Sequence, residues 1–198
     1  MSGLLAASSL REFFKGLLGG VIQERQLQIA EVTEFYLVNL LSEFASADRL
    51  FTEGEDGRKD HEPLAVLYHR AMSQAREERI RTLRRLGDVS LYTAGFFSES
   101  LRERVVGPDY YIQMGGTAYG QVAELAPATS FSGAYRELHR KFRAVVEVLE
   151  EIAARGLAAN GPEGALKVYE SWARTGSDRL EKVLVDAGVL LPRRGLPN

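Results

Sequence analysis

Between residues 135 and 156, Tyr135, Leu138, Phe142, Val145, Leu149, Ile152 and Gly156 follow one another at alternating steps of three and four. An α-helix gathers such positions into a single stripe, because its turn of about 3.6 residues places i, i+3, i+4 and i+7 on one face. The regular alternation is that of a close helix–helix seam, so a helix over 131–155 must find packed partners. Its outer face carries Arg136, Arg140, Arg143, Glu147 and Glu151, and Glu137 with Lys141 forms a favourably oriented i,i+4 pair.

The rest of the chain follows the same period. Ser9 and Glu12 have the spacing of a capping box, and a short amphipathic helix with Phe13, Phe14, Leu17 and Leu18 should end at Gly19 and Gly20. A long helix is expected over 21–45, with Val32, Phe35, Tyr36, Leu40 and Phe44 on its buried face. Residues 46–63, which hold two glycines and a proline, read as a long polar loop, either mobile or used for binding.

Pro63 suits the start of a helix over 64–86 that Gly87 should end or bend. Short irregular helices are expected over 88–106, then a helix from Pro108 to Leu125, and two more helices after the turn at Asn160, Gly161 and Pro162. The tail 189–198 reads as irregular. No segment alternates with a two-residue period, and no repeat of fixed length occurs. The expected fold is all-α, a single-domain helical bundle of about seven helices spanning 1–198.

Composition narrows the chemistry. The 25 basic and 27 acidic side chains nearly cancel, leaving a formal charge of −2 and no global field to attract nucleic acid or an anionic membrane. With no cysteine, thiolate metal sites, cysteine nucleophiles and disulfides are excluded. The first twenty residues do not read as a signal peptide, and no apolar run approaches the roughly 18 residues of a membrane span, so a cytoplasmic location is expected.

A histidine metal site in a bundle needs a second ligand three or four residues away, where helical side chains converge. None of His61, His69 and His139 has an acid or another histidine at those positions, so neither a metal nor a cofactor is expected. Glu31 with Glu34, and Glu147 with Glu150 and Glu151, read as solvated edges. No nucleophile elbow, phosphate loop or dinucleotide fingerprint occurs; Gly115–Gly120 has the wrong spacing and follows a helical pattern.

The most unusual composition lies between Gly87 and Gly120, which holds four of the eight tyrosines, two phenylalanines and six glycines. Tyrosine suits cores and ligand pockets alike, since a flat apolar ring carries a hydroxyl that needs a partner when buried. The preferred reading is structural, with Gly116 and Gly120 allowing a neighbouring helix to come close. On a regular helix Arg79 lies within roughly 20 degrees of Met72 on the apolar face. It should therefore be less exposed than Arg81, Arg84 and Arg85, and pair with Asp88 or Asp109.

Three functions follow from these residues. The first is a non-catalytic interaction or regulatory module acting on a protein partner or as a homo-oligomer. The second is a small-molecule binder or unfamiliar enzyme with a pocket between the Arg79 helix and segment 88–120, using Arg79, Asp88, Tyr92, Asp109, Tyr110, Tyr111 and Tyr119. The third, nucleic-acid binding through Arg81, Arg84 and Arg85 with Arg136, Arg140 and Arg143, is not favoured, since solvated helix faces explain both stripes. A catalytic role is not expected.

Overall fold

A computed structural model describes residues 2–51, 63–102, 104–126 and 131–191. Among them the chain is all-α: α1 (Ser2–Glu24), α2 (Glu31–Phe51), α3 (Leu64–Met72), α4 (Arg76–Phe96), α5 (Ser98–Arg102), α6 (Pro108–Leu125), α7 (Ser132–Ala159), α8 (Pro162–Thr175) and α9 (Asp178–Asp186). Most of the expected loop at 46–63, the turn at Pro127 and Ala128, and the end of the tail lie outside the described residues; 46–51 continue α2.

The seam read at 135–156 is the spine. At 28 residues, with non-helical backbone at Lys141 (φ −110°, ψ 17°) where the helix kinks, α7 is long enough to serve two cores. Through Tyr135, Leu138, Phe142, Val145 and Leu149 it packs with α4 and α6 in the larger core, which α1, α2 and α3 complete. Its last turns, at Ala158, join Val168 and Trp172 of α8 and Leu180, Val183 and Leu184 of α9 in a second, smaller core.

The spacing of α4, α6 and α7 is set by missing side chains. A Cβ on Gly115 of α6 would lie 2.3 Å from Phe142 Cζ of α7 and 2.7 Å from Ser90 Cβ of α4, and one on Gly87 of α4 would lie 2.6 Å from Tyr119 Cε1. All three distances are inside van der Waals contact, so only glycine lets these rings sit against the facing backbone. Gly87 therefore neither ends nor bends its helix, and the pieces expected at 88–106 are the second half of α4 followed by α5.

Several helix boundaries depart from the sequence expectation. α1 begins at Ser2, so Ser9 and Glu12 lie within it and do not cap it. The helix also runs through Gly19 and Gly20 and stops at Glu24, where Gln26 adopts a left-handed φ of 52°. Leu27 N donates to Ile22 O and Gln26 N to Gln23 O, the paired bonds of a Schellman turn that usually needs glycine. The expected helix over 21–45 is thus divided between α1 and α2.

Likewise the helix expected over 64–86 breaks at Ser73, between α3 and α4. Arg79 Nε donates to Ala71 O at 3.0 Å and its Nη2 to Met72 O at 2.6 Å, satisfying carbonyls that a helix end leaves without partners.

The α1–α2 connection is tied down by polar groups on α7. Glu137 accepts from Ala30 N at 3.0 Å and Thr33 Oγ1 at 2.6 Å, at the start of α2. Lys141 donates to Gln28 O and, at 2.8 Å, to Glu137. Further along, Arg25 binds Glu147 and Glu151, while Arg155 bridges Glu151 at 2.6 Å and Glu24 at 2.7 Å; Lys182 of α9 reaches Glu24 at 2.5 Å. Glu151, expected on a solvated edge, is only 5% exposed.

Two outcomes follow. Gly115→Ala should cost about 1–3 kcal/mol by overpacking, read as a lowered thermal midpoint, with Phe142→Leu in the same chain recovering part of the loss. The guanidinium of Arg155 and the ammonium of Lys182 hold Glu24 down to about 2 from the usual carboxylate value near 4.5. Its contribution is then complete above that usual value and fades as pH falls toward 2. Urea midpoints should decline over that interval less steeply in Glu24→Gln than in the native chain.

Candidate functional site

The sequence-selected residues do not meet in one place. Arg79 is half-buried and less exposed than Arg81, Arg84 and Arg85, as expected, but its guanidinium caps α3 and pairs with neither aspartate. Asp109 lies at the surface, 2.7 Å from Arg143. Tyr110 and Tyr111 form an edge-to-face pair at the start of α6. Tyr92 stacks between Phe44 at 4.4 Å and Phe96 at 4.9 Å, joining α2 to α4.

Asp88 and Tyr119 do come together, with partners that sequence reasoning passed over. Tyr119 of α6 donates to Asp88 Oδ1 at 2.7 Å, and Tyr36 of α2 donates to the same oxygen at 2.5 Å. Tyr36 packs edge-on against both Tyr119 and Tyr135, with centroids 6.2 and 5.3 Å apart. Tyr135 comes from the first turn of α7, and Arg84 lies one helical turn before Asp88 on α4. Four helices thus contribute to one polar cluster inside an aromatic lining.

Local sequence explains the placement. Leu86, Gly87, Val89 and Ser90 are all buried on α4, so Asp88 is carried into the packed region by its neighbours. Tyr119 is fully buried because Gly87 leaves room for its ring. Of the two glycines expected to admit a close helix, Gly120 does so, since a Cβ there would lie 2.9 Å from His139 Nδ1, whereas one on Gly116 would stand 3.7 Å from Phe142 Cβ, an ordinary contact; His139 Nδ1 donates to Gly116 O at 2.7 Å.

The electrostatics follow from burial. Desolvation lifts Asp88 from 3.8 to about 6, against the hydroxyls of Tyr36 and Tyr119 and the charge of Arg84, which favour the carboxylate; Glu43 adds to the rise. Burial also pushes the phenols of Tyr36 and Tyr119 far above their usual range, helped by Asp88. Partial burial disfavours the Arg84 cation, yet Asp88 and Tyr135 more than compensate and hold it above the ordinary arginine value. At neutral pH the cluster therefore holds one carboxylate, three neutral phenols and one guanidinium.

Chemically, neutral phenols donating to a carboxylate make a structural hydrogen-bond network, and neither phenol is primed as a base or nucleophile. Among the described residues no group of three or more histidines and acids is placed to hold a metal ion, and no helix is long and apolar enough to cross a membrane. The signal that would have found Tyr36 was its place on the apolar face of α2, where a hydroxyl needs a partner.

Three of the six arginines in the two stripes are drawn into local contacts. Arg84 turns to Tyr135 and Asp88, Arg85 lies 5.8 Å over the Phe44 ring, and Arg143 meets Asp109. No protein-family model, no curated protein and no solved structure matches the chain. The fold therefore defines a class only, an all-helical bundle with a second small core.

Tyr119→Phe tests the cluster. Loss of one charge-assisted bond should cost about 2 kcal/mol at neutral pH. Because that hydroxyl favours the carboxylate, the midpoint of Asp88 should rise above about 6, as read by carbon NMR of its carboxyl group.

Proposed function

We propose that this protein is a non-catalytic helical interaction module that associates through the face formed by the end of α7, the start of α8 and the end of α9. The observation that carries the reading is a cleft of about 590 Å³ there, walled by Ala158, Ala159, Pro162, Ala165, Val183 and Val189, with Arg155 and Asp186 at its edge. Leu190, next to a wall residue, is 97% exposed, and Val185 is also exposed. The apolar hollow and the exposed apolar side chains of the same segment together support an association surface there.

The occupant we assign is a second copy of this chain. A knob and a hole on one face are self-complementary under a twofold rotation, and such isologous contacts are the commonest route to a dimer. Leu190 of each copy would enter the hollow of the other. What weighs against a tyrosine-lined pocket is the filling of that region: Tyr119 has no exposed surface, and the other tyrosines are spread over separate contacts.

Sedimentation equilibrium provides the test. The native chain should dimerise in the micromolar range, and Leu190→Asp should leave a monomer with an unchanged circular dichroism spectrum. Ala165→Trp, which fills the hollow from within, should do the same. A native chain that stays monomeric at every concentration, or a dimer that survives both substitutions, would overturn the assignment.

A further inference from the structure

The association cleft has two walls, and they belong to different helices. One is the end of α7 with the start of α8, at Ala158, Ala159, Pro162 and Ala165; the other is α9 and the residues after it, at Val183, Asp186 and Val189. α9 is only nine residues long and rests on the second core through Leu180, Val183 and Leu184. Apolar burial is non-directional, so those three side chains hold α9 in place without dictating how far it stands from α8.

A carboxylate that does not line the cleft spans its walls. Glu24, the last residue of α1, accepts from Arg155 Nη1 on Oε1 at 3.1 Å and from Nη2 on Oε2 at 2.7 Å, and its Oε2 also accepts from Lys182 of α9 at 2.5 Å. Arg155 lines the cleft from α7, and Lys182 stands one helical turn from Asp186 at the edge. Three residues before Glu24, Val21 has no exposed surface in the first core, and Arg25 just after it binds Glu147 and Glu151. The first core therefore dictates where the carboxylate sits. We infer that Glu24 is a positioning residue for the cleft: it ties α9 to α7 through Lys182 and Arg155, and so fixes the wall separation that a second copy must fit. The inference rests on the association reading above and adds to it a dependence on ionic strength.

The two halves of the tie differ in shelter, which decides where it yields. Arg155 meets Glu24 at two points, its side chain is 26% exposed, and it has a further acid in Glu151 at 2.6 Å. Lys182, 56% exposed, reaches Glu24 as a point charge. Salt screens an exposed pair more than a sheltered one, so ionic strength loosens the α9 half. Arg179 and Glu150, 3.4 Å apart and more enclosed, hold the first turn of α9 and leave the half that walls the cleft to Lys182. Rising salt should thus weaken association, whereas a contact made by apolar burial alone is strengthened by excluded salts.

The chain has no cysteine, so a pair of spin labels can be placed on exposed sites of the two walls, at Glu163 of α8 and Val185 of α9. Dipolar spectroscopy on labelled chain diluted into excess unlabelled chain reads the distance within one molecule whatever its oligomeric state. Lys182→Met, which removes the charge and keeps an apolar stem, should broaden the distance distribution, as should about 0.5 M sodium chloride acting on the native chain. In sedimentation equilibrium the same unlabelled variant should weaken the dimer about fivefold at low salt and lose the salt dependence of the native chain.

A distribution that Lys182→Met leaves unchanged would sink the tie. A broadened distribution with an unaltered dissociation constant would show that wall separation does not govern association, and the inference would fall on that count. A native chain that stays monomeric removes the association reading, and this inference with it, whatever the labels report; the two failures are thereby told apart.

Discussion

Phe142 and Tyr119 lie against bare backbone, at Gly115 and Gly87 respectively, and that contact sets the distance between the three central helices. Interiors are packed to crystal-like density, so helices held at this spacing leave no slack for side chains to choose other positions. The enclosure of the Tyr119 ring carries its hydroxyl to Asp88, and Tyr36 and Tyr135 close around it edge-on. The polar cluster is thus a product of apolar packing: without the glycines the ring would not fit, and without the ring Asp88 would lose one of its two donors.

A carboxylate placed in such surroundings does not stabilise the bundle by its charge. Burial lifts its titration to about 6 even with two phenols and a guanidinium in its favour, which means that desolvation outweighs its partners. What it contributes is direction. The donors arrive from different helices onto one oxygen, so α2 can satisfy Tyr36 in only one register against α4 and α6. Specificity obtained from a partly buried polar group at some cost in stability is a known use of such groups in helical assemblies.

Periodicity was enough to place α6, α7, α8 and α9, because each is a continuous amphipathic stripe closed by glycine or proline. The polar contacts were legible only in part. A Schellman turn at Gln26 has no sequence signature, since the residue that normally marks it is glycine. Arg79 was correctly singled out as out of place on an apolar face, but the acceptor turned out to be the end of the preceding helix, and no spacing rule points to a carbonyl. Glu137 and Lys141 have the spacing of a solvated pair, and only the folded chain reveals that they grip the α1–α2 connection. A residue three or four positions away is visible in sequence; an acceptor more than a hundred positions away is not.

These features assign different physics to different helices. α4, α6 and α7 are joined chiefly by interdigitated carbon and missing β-carbons, with the Tyr119–Asp88 bond and the exposed Arg143–Asp109 pair added to them. α2 reaches the same core through polar groups as well, the Glu137 anchor at its start and the Tyr36–Asp88 bond further along. α9 in turn meets α1 through Lys182 and Glu24, which links the second core to the first by exposed ion pairs that salt will screen. The centre of the molecule is therefore fixed by shape and two of its outer elements partly by charge, so changes in pH or ionic strength should act first on how α2 and α9 are held.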